Sequence, residues 1–144
     1  MMQAIEVIDN TSLPDHQGEH YTGIMGQLHR ALQPKTYMEI GTERGQSLAY
    51  AQCPSLAIDP TFRIDGARIS QILKRPVSLF FAMKSDDFFR DHDPTVYLKN
   101  KIDFAFLDGM HWCEFLLRNF INTENIATKG RSLFSMTACR SKLQ

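Results

Sequence analysis

Hydrophobic positions along this chain alternate between two textures. The runs "TYMEIG", "SLAIDP", "PVSLFFAM" and "IDFAFLD" are apolar nearly throughout and read as buried strands. Between them apolar residues recur at helical steps. Tyr21, Ile24, Met25, Leu28 and Leu32 predict a helix over 15–32, which Gln33-Pro34 ends. "GQSLAYAQ" and "RIDGARISQILK" predict two more, and "SDDFFRD" another with Ser85 as its cap. Trp112, Phe115, Leu116 and Phe120 predict a helix packed on the sheet after the fourth strand. Strands apolar on both faces belong in a parallel sheet covered by helices on both sides. The expectation is one doubly wound, mainly parallel α/β domain over 15–130, after an irregular lead-in over 1–14, with no internal repeat or linker.

Composition narrows the partners. At 144 residues, with 43% apolar and 22% charged side chains, the chain is long enough to bury a core. Sixteen basic residues balance sixteen acidic ones, which removes the basic field that nucleic acid or an anionic membrane would need. Cys53, Cys113 and Cys139 have no zinc-type spacing and read as reduced thiols. No apolar run approaches the length of a membrane span, and "MMQAIEVIDNTSLPDHQ" lacks the basic start and apolar run of a signal peptide. A soluble, cytoplasmic protein is expected.

The chemistry gathers at the strand ends, where open α/β sheets hold their ligands. The first strand runs into Glu39-Ile-Gly41-Thr-Glu-Arg-Gly45, a glycine turn that lets backbone approach a ligand. It lacks the G-x-G-x-x-G of a dinucleotide site, which disfavours a nucleotide-dependent oxidoreductase. Asp59 ends the second strand eighteen residues beyond Gly41 (59 minus 41) and is placed to accept hydrogen bonds from both hydroxyls of a ribose. Alone, such an acid would be a helix cap or a solvated loop residue. Ser85 and Asp86 follow the third strand and either face an adenine edge or cap the next helix. Asp108, Gly109 and His111 follow the fourth. Carboxylate and imidazole are both competent metal ligands, but Asp108 capping the helix while His111 packs on its first turn explains them too. His16 and His20 lack the rest of H-E-x-x-H and read as a solvated helix face.

"YMEIGTERGQSL", "LAIDP", "FFAMKSDDFF" and "IDFAFLDGMH", in this order and at these separations, resemble the class I S-adenosylmethionine-dependent methyltransferases. The likeness is to a bacterial branch with E-I-G-x-x-x-G-x-S and F-I-D-G-x-H motifs, over about residues 15 to 130. The resemblance implies a Rossmann-like methyltransferase fold, S-adenosylmethionine as methyl donor and a small-molecule or sugar-like acceptor. It places Glu39 near the donor's amino group, Gly41 and Gly45 around its methionine part, Asp59 at the ribose, and Ser85 and Asp86 at the adenine. Asp108 and His111 would stand at the reacting centre, Asp108 with a divalent magnesium or manganese ion in some relatives.

The chain departs from that pattern after Lys129-Gly130, where a fifth strand ending in polar crevice residues is expected and "RSLFSMTACRSKLQ" stands instead. Codons taken from the third base of one residue and the first two of the next, from Leu133 to Arg140, can spell Ile-Phe-His-Asp-Cys-Leu-Pro. Residues 131–144 are therefore expected to be an aberrant, frameshifted tail, with the fold's last strands missing and activity impaired. An exposed sheet edge would then invite self-association, and a non-catalytic α/β remnant is the alternative reading. Asp59→Ala is expected to weaken donor binding and leave the fold intact.

Overall fold

The four expected strands form, and a fifth joins them. The computed structural model describes residues 20–135 apart from 75, 110 and 111, with the backbone alone for 131–135. In chain order the elements are α1 (Tyr21–Leu32), β1 (Tyr37–Ile40), a 3-10 turn (Leu48–Tyr50), β2 (Ser55–Ile58), α2 (Gly66–Leu73), β3 (Ser78–Phe81), α3 (Ser85–Asp91), α4 (Pro94–Leu98), β4 (Ile102–Leu107), α5 (Cys113–Ile126) and β5 (Ala127–Ser135). All strand pairings are parallel and the order is β3-β2-β1-β4-β5.

Register and side-chain alternation explain the core. Glu39 lies between Ala57 of β2 and Phe106 of β4, and Ile40 between Ile58 and Leu107. Every residue of β1, β2 and β4 is buried, so successive side chains feed opposite layers. Tyr37, Ala57, Phe104 and Phe106 pack with Met25 and Leu48 on one face. Met38, Ile40, Leu56, Ile58, Ala105 and Leu107 pack with Phe88 on the other. Strand order reverses at β1, which has β2 on one side and β4 on the other, so the switch point of the sheet lies at its carboxyl end.

Several expectations change. The helix expected over "GQSLAYAQ" shrinks to the Leu48–Tyr50 turn. Gly41, Glu43 and Gly45 all take positive φ, which spends the start of the connection on a left-handed loop and leaves too few residues for a helix before β2. Ser85 is not the cap of α3 but its first residue, after Lys84. A short helix, α4, was not foreseen; Asp93 caps it, accepting from Thr95 N at 2.9 Å, and Pro94 opens it. On α5, Asn119 and Thr123 are buried, with Leu116 and Ile126 packed on the core. Leu117, Phe120 and Ile121 are exposed, so the helix presents a face rotated from the expected one.

The boundary expected between 130 and 131 falls inside β5, whose Ser132–Ser135 pair with Phe104–Leu107 after a break in register. Residues 1–14 and 136–144 lie outside the described residues, and so does His111. Cys53 is a free, buried cysteine whose thiol burial pushes up to about 11. Cys113 is disulfide-bonded, unlike the reduced thiol expected.

Candidate functional site

At the carboxyl ends of the strands the structure opens a cavity of about 470 Å³. Gly41 from the end of β1, Asp59 from β2, Ser85 and Asp86 from the start of α3, and Asp108 and Gly109 from β4 all line it. Five of these, Gly41, Asp59, Ser85, Asp86 and Asp108, are sequence-predicted site residues, brought together from four separate strand ends.

The glycine turn is fixed by contact as well as by dihedral. Gly41 has φ +86°, and a Cβ there would lie 2.0 Å from the Asp108 carbonyl oxygen. Asp108 N in turn donates to the Ile40 carbonyl at 2.8 Å, so the ends of β1 and β4 meet backbone to backbone. Gly45 also has positive φ (+69°) but faces Ile64 and Ile72. It shapes the turn from behind and is not in the cavity wall.

Asp59 is 8% exposed, and both its oxygens are engaged. Oδ2 accepts from Glu43 N at 2.9 Å and Oδ1 from Thr61 N at 2.7 Å. The carboxylate therefore ties the glycine turn to the loop after β2. Each oxygen keeps a further lone pair.

Glu39 lies beneath the turn, fully buried and outside the cavity wall. Its carboxyl accepts from Tyr37 Oη at 2.6 Å and from Ser47 Oγ at 2.9 Å. Burial pushes its pKa from 4.5 up to about 7; the two hydroxyls oppose the rise and the Asp108 charge adds to it. A smaller recess of about 50 Å³ beside it is lined by Tyr21, Gln46, Ser47 and Asp108. The Tyr21 phenol is raised by burial and by Asp108, Glu39 and Glu43, and it donates to Gln46 Oε1 at 3.3 Å.

The opposite wall comes from α3 and α5. Asp86 accepts from Arg118 Nη2 at 2.8 Å, and both side chains are well exposed. The Arg118 guanidinium also lies over the Phe115 ring, 4.5 Å from its centroid. Phe115 and Asn119, one helical turn apart, line the cavity. Sequence reading took Phe115 for core and passed over Asn119. The available signal was a polar residue four positions after Phe115 on a face otherwise read as apolar. Thr61, Arg63 and Lys84 also line the cavity and were not singled out.

Among the described residues no group of three His, Cys, Asp or Glu could hold a metal ion. Asp108 is in the wall, while its expected partner His111 lies outside the described residues. None of the described helices is long and apolar enough to cross a membrane.

No family model matches the chain, and no curated protein matches it. Solved structures do. An O-methyltransferase from Bacillus cereus in complex with SAH superposes with TM-score 0.66 at 14% identity, over 85% of this chain and 59% of that one. The O-methyltransferase TomG from Streptomyces achromogenes, involved in tomaymycin synthesis and solved with SAM, gives 0.65 at 16% identity, over 85% and 58%. The fold is the Rossmann-like methyltransferase fold. An O-methyltransferase family protein from Burkholderia thailandensis gives 0.58 at 16% identity, over 80% of this chain and 36% of that one. The chain thus spans less than two thirds of the length of each of these methyltransferase-fold neighbours.

Proposed function

We propose that this chain is the S-adenosylmethionine-binding part of a cytoplasmic methyltransferase acting on a small-molecule or sugar-like acceptor. One observation carries the reading: a single cavity at the switch point gathers Gly41, Asp59, Ser85, Asp86 and Asp108 from four strand ends. Two structural neighbours, solved with SAM and with SAH, support it. The neutral net charge supports a small acceptor over nucleic acid.

The methyl donor would supply an electrophilic methyl on a sulfonium. Around it, Gly41 offers bare backbone to the methionine part, and the free lone pairs of Asp59 receive the ribose hydroxyls. Asp86 and Ser85 border the base. Glu39 acts from below, holding Ser47 and so the turn. Asp108 faces the reacting centre, where its carboxylate orients the acceptor and holds its proton. The gain comes from alignment for in-line displacement. His111 and a magnesium or manganese ion belong to the proposal without a step assigned to them.

Calorimetric titration with S-adenosylhomocysteine tests the reading. Saturable binding that Asp59→Asn weakens is expected; no binding to the folded protein overturns it. We further propose that the tail from about 131 is a frameshift product that impairs transfer, so a frame-restored protein should transfer methyl groups faster. Equal rates would refute this, as would coding DNA with no His-Asp-Cys-Leu-Pro in the shifted frame.

A second reading, a non-catalytic remnant that self-associates, draws on β5 as a sheet edge among the described residues and on exposed Leu117, Phe120 and Ile121 of the adjoining α5. A monomer in sedimentation at all concentrations would exclude it.

A further inference from the structure

We propose that Asn119 reads the edge of the purine base of the bound adenosyl ligand, an inference that rests on the methyl-donor reading above. Asn119 is 3% exposed, and its Oδ1 has no hydrogen-bond partner among the described residues. A buried amide oxygen left unpaired is costly, and native proteins rarely carry one without a ligand, water or ion to complete it. Asn119 is one of the residues that line the cavity.

Gly109 keeps it uncovered. A Cβ at Gly109 would sit 3.6 Å from Asn119 Nδ2 and 3.3 Å from Ile40 Cγ2, so any side chain there would begin to fill the space beside the amide. The glycine after the β4 acid thus has a local reason apart from the turn itself: it leaves the Nδ2 side of the amide uncovered.

An amide presents those two functions side by side. That pattern matches the adjacent amino donor and ring-nitrogen acceptor of adenine, which asparagine pairs in two-point fashion. Phe115, four residues earlier and on the same side of α5, lines the same cavity and offers apolar surface to a flat ring. Asp86 does not duplicate this role. Its carboxylate is acceptor-only and already bound to Arg118, so it can receive the amino group but cannot donate to the ring nitrogen.

Titration of the whole protein with S-adenosylhomocysteine and S-inosylhomocysteine tests the assignment, because the inosyl base replaces the amino donor with a carbonyl acceptor. The wild-type protein should bind the adenosyl ligand about tenfold more tightly, the scale of one or two hydrogen bonds. Asn119→Leu should lose about that factor for the adenosyl ligand and bring the two affinities together. Its ligand-free melting temperature should be equal or higher, since the unpaired amide is gone. Asn119→Asp, which keeps the acceptor and removes the donor, should weaken the adenosyl ligand and keep its preference over the inosyl one. Equal binding of the two ligands by the wild type overturns the inference and leaves the methyl-donor reading intact. So does an unchanged ratio in Asn119→Leu or, should that variant not fold, in Asn119→Ala. Failure of the wild type to bind either ligand sinks the methyl-donor reading itself, and this inference with it.

Discussion

The two walls of the cavity are built in opposite ways. On the β1–β2 side the polar groups singled out above are satisfied within the protein. Asp59 holds two backbone amides, Glu39 holds two hydroxyls, and the glycine turn is pinned against the end of β4. On the α3–α5 side the polar contact is a solvent-exposed ion pair, and Asn119 Oδ1 has no partner among the described residues. Thr42 Oγ1 apart, which is buried without a partner among the described residues, the first wall is satisfied before a ligand arrives; the other awaits one. Preorganisation of the first lowers the cost of binding, while the second can discriminate between occupants.

The sharpest way to break the finished wall is Gly41→Ala. The new Cβ would collide with the Asp108 carbonyl at 2.0 Å and sit at a φ of +86°. Left-handed backbone costs about 1–2 kcal/mol, and overpacking about 1–3 kcal/mol more. Urea denaturation should show a loss of about 3 kcal/mol or more, with ligand binding abolished. A variant as stable as the wild type would mean that the two strand ends are not in contact.

Next in size is a pH effect from Glu39. Its carboxyl has a pKa of about 7 in the folded protein against 4.5 as its ordinary value. Between those values the unfolded chain has lost this proton and the folded protein keeps it. Stability should therefore fall as pH rises from 4.5 to 7, by about 3 kcal/mol, and level off above. Glu39→Gln should flatten that slope in denaturant titrations across the range. An unchanged slope in the variant would assign the effect elsewhere.

Asp59→Ala should cost about 1.5–3 kcal/mol, the worth of hydrogen bonds to a charged acceptor. It should also weaken S-adenosylhomocysteine. The sequence suggested that alanine here would spare the fold. The structure adds a reason for some cost, because the acid is a strut between two loops. Full stability in Asp59→Ala would restore the simpler view.

On the unfinished wall the effects should be small. Arg118→Met removes an exposed ion pair worth about 0.2–1 kcal/mol, so thermal melting should barely move and should depend slightly less on salt. A large destabilisation would show that this wall is as prebuilt as the other.

The legible part of this molecule is the part governed by local pattern. β1, β2 and β4 were readable because strands buried on both faces must be apolar throughout, and Asp59 because its distance from Gly41 sets it at the next strand end. What could not be read depends on contacts distant in sequence. Gly41 meets Asp108 across a separation of 67 in the sequence (108 minus 41), and that contact explains the turn. The connection after β1 hid behind "GQSLAYAQ", whose helical composition is overruled by three left-handed residues. Asn119 was invisible because burial of one polar residue on α5, and exposure of Phe120 beside it, follow from how the helix lies on the sheet.

Cys53 closes the connection from β1 to β2, the stretch that carries a 3-10 turn where a helix was expected. Its thiol is buried in the core layer with Tyr37 and Leu48 and held near 11, so in the native state it is a poor nucleophile. A thiol reagent can reach it only through openings of that layer. The labelling rate then becomes a clock on local unfolding, native to the chain and needing no introduced probe. Slower labelling with S-adenosylhomocysteine present would report, from behind the glycine turn, that the ligand has closed the crevice in front of it.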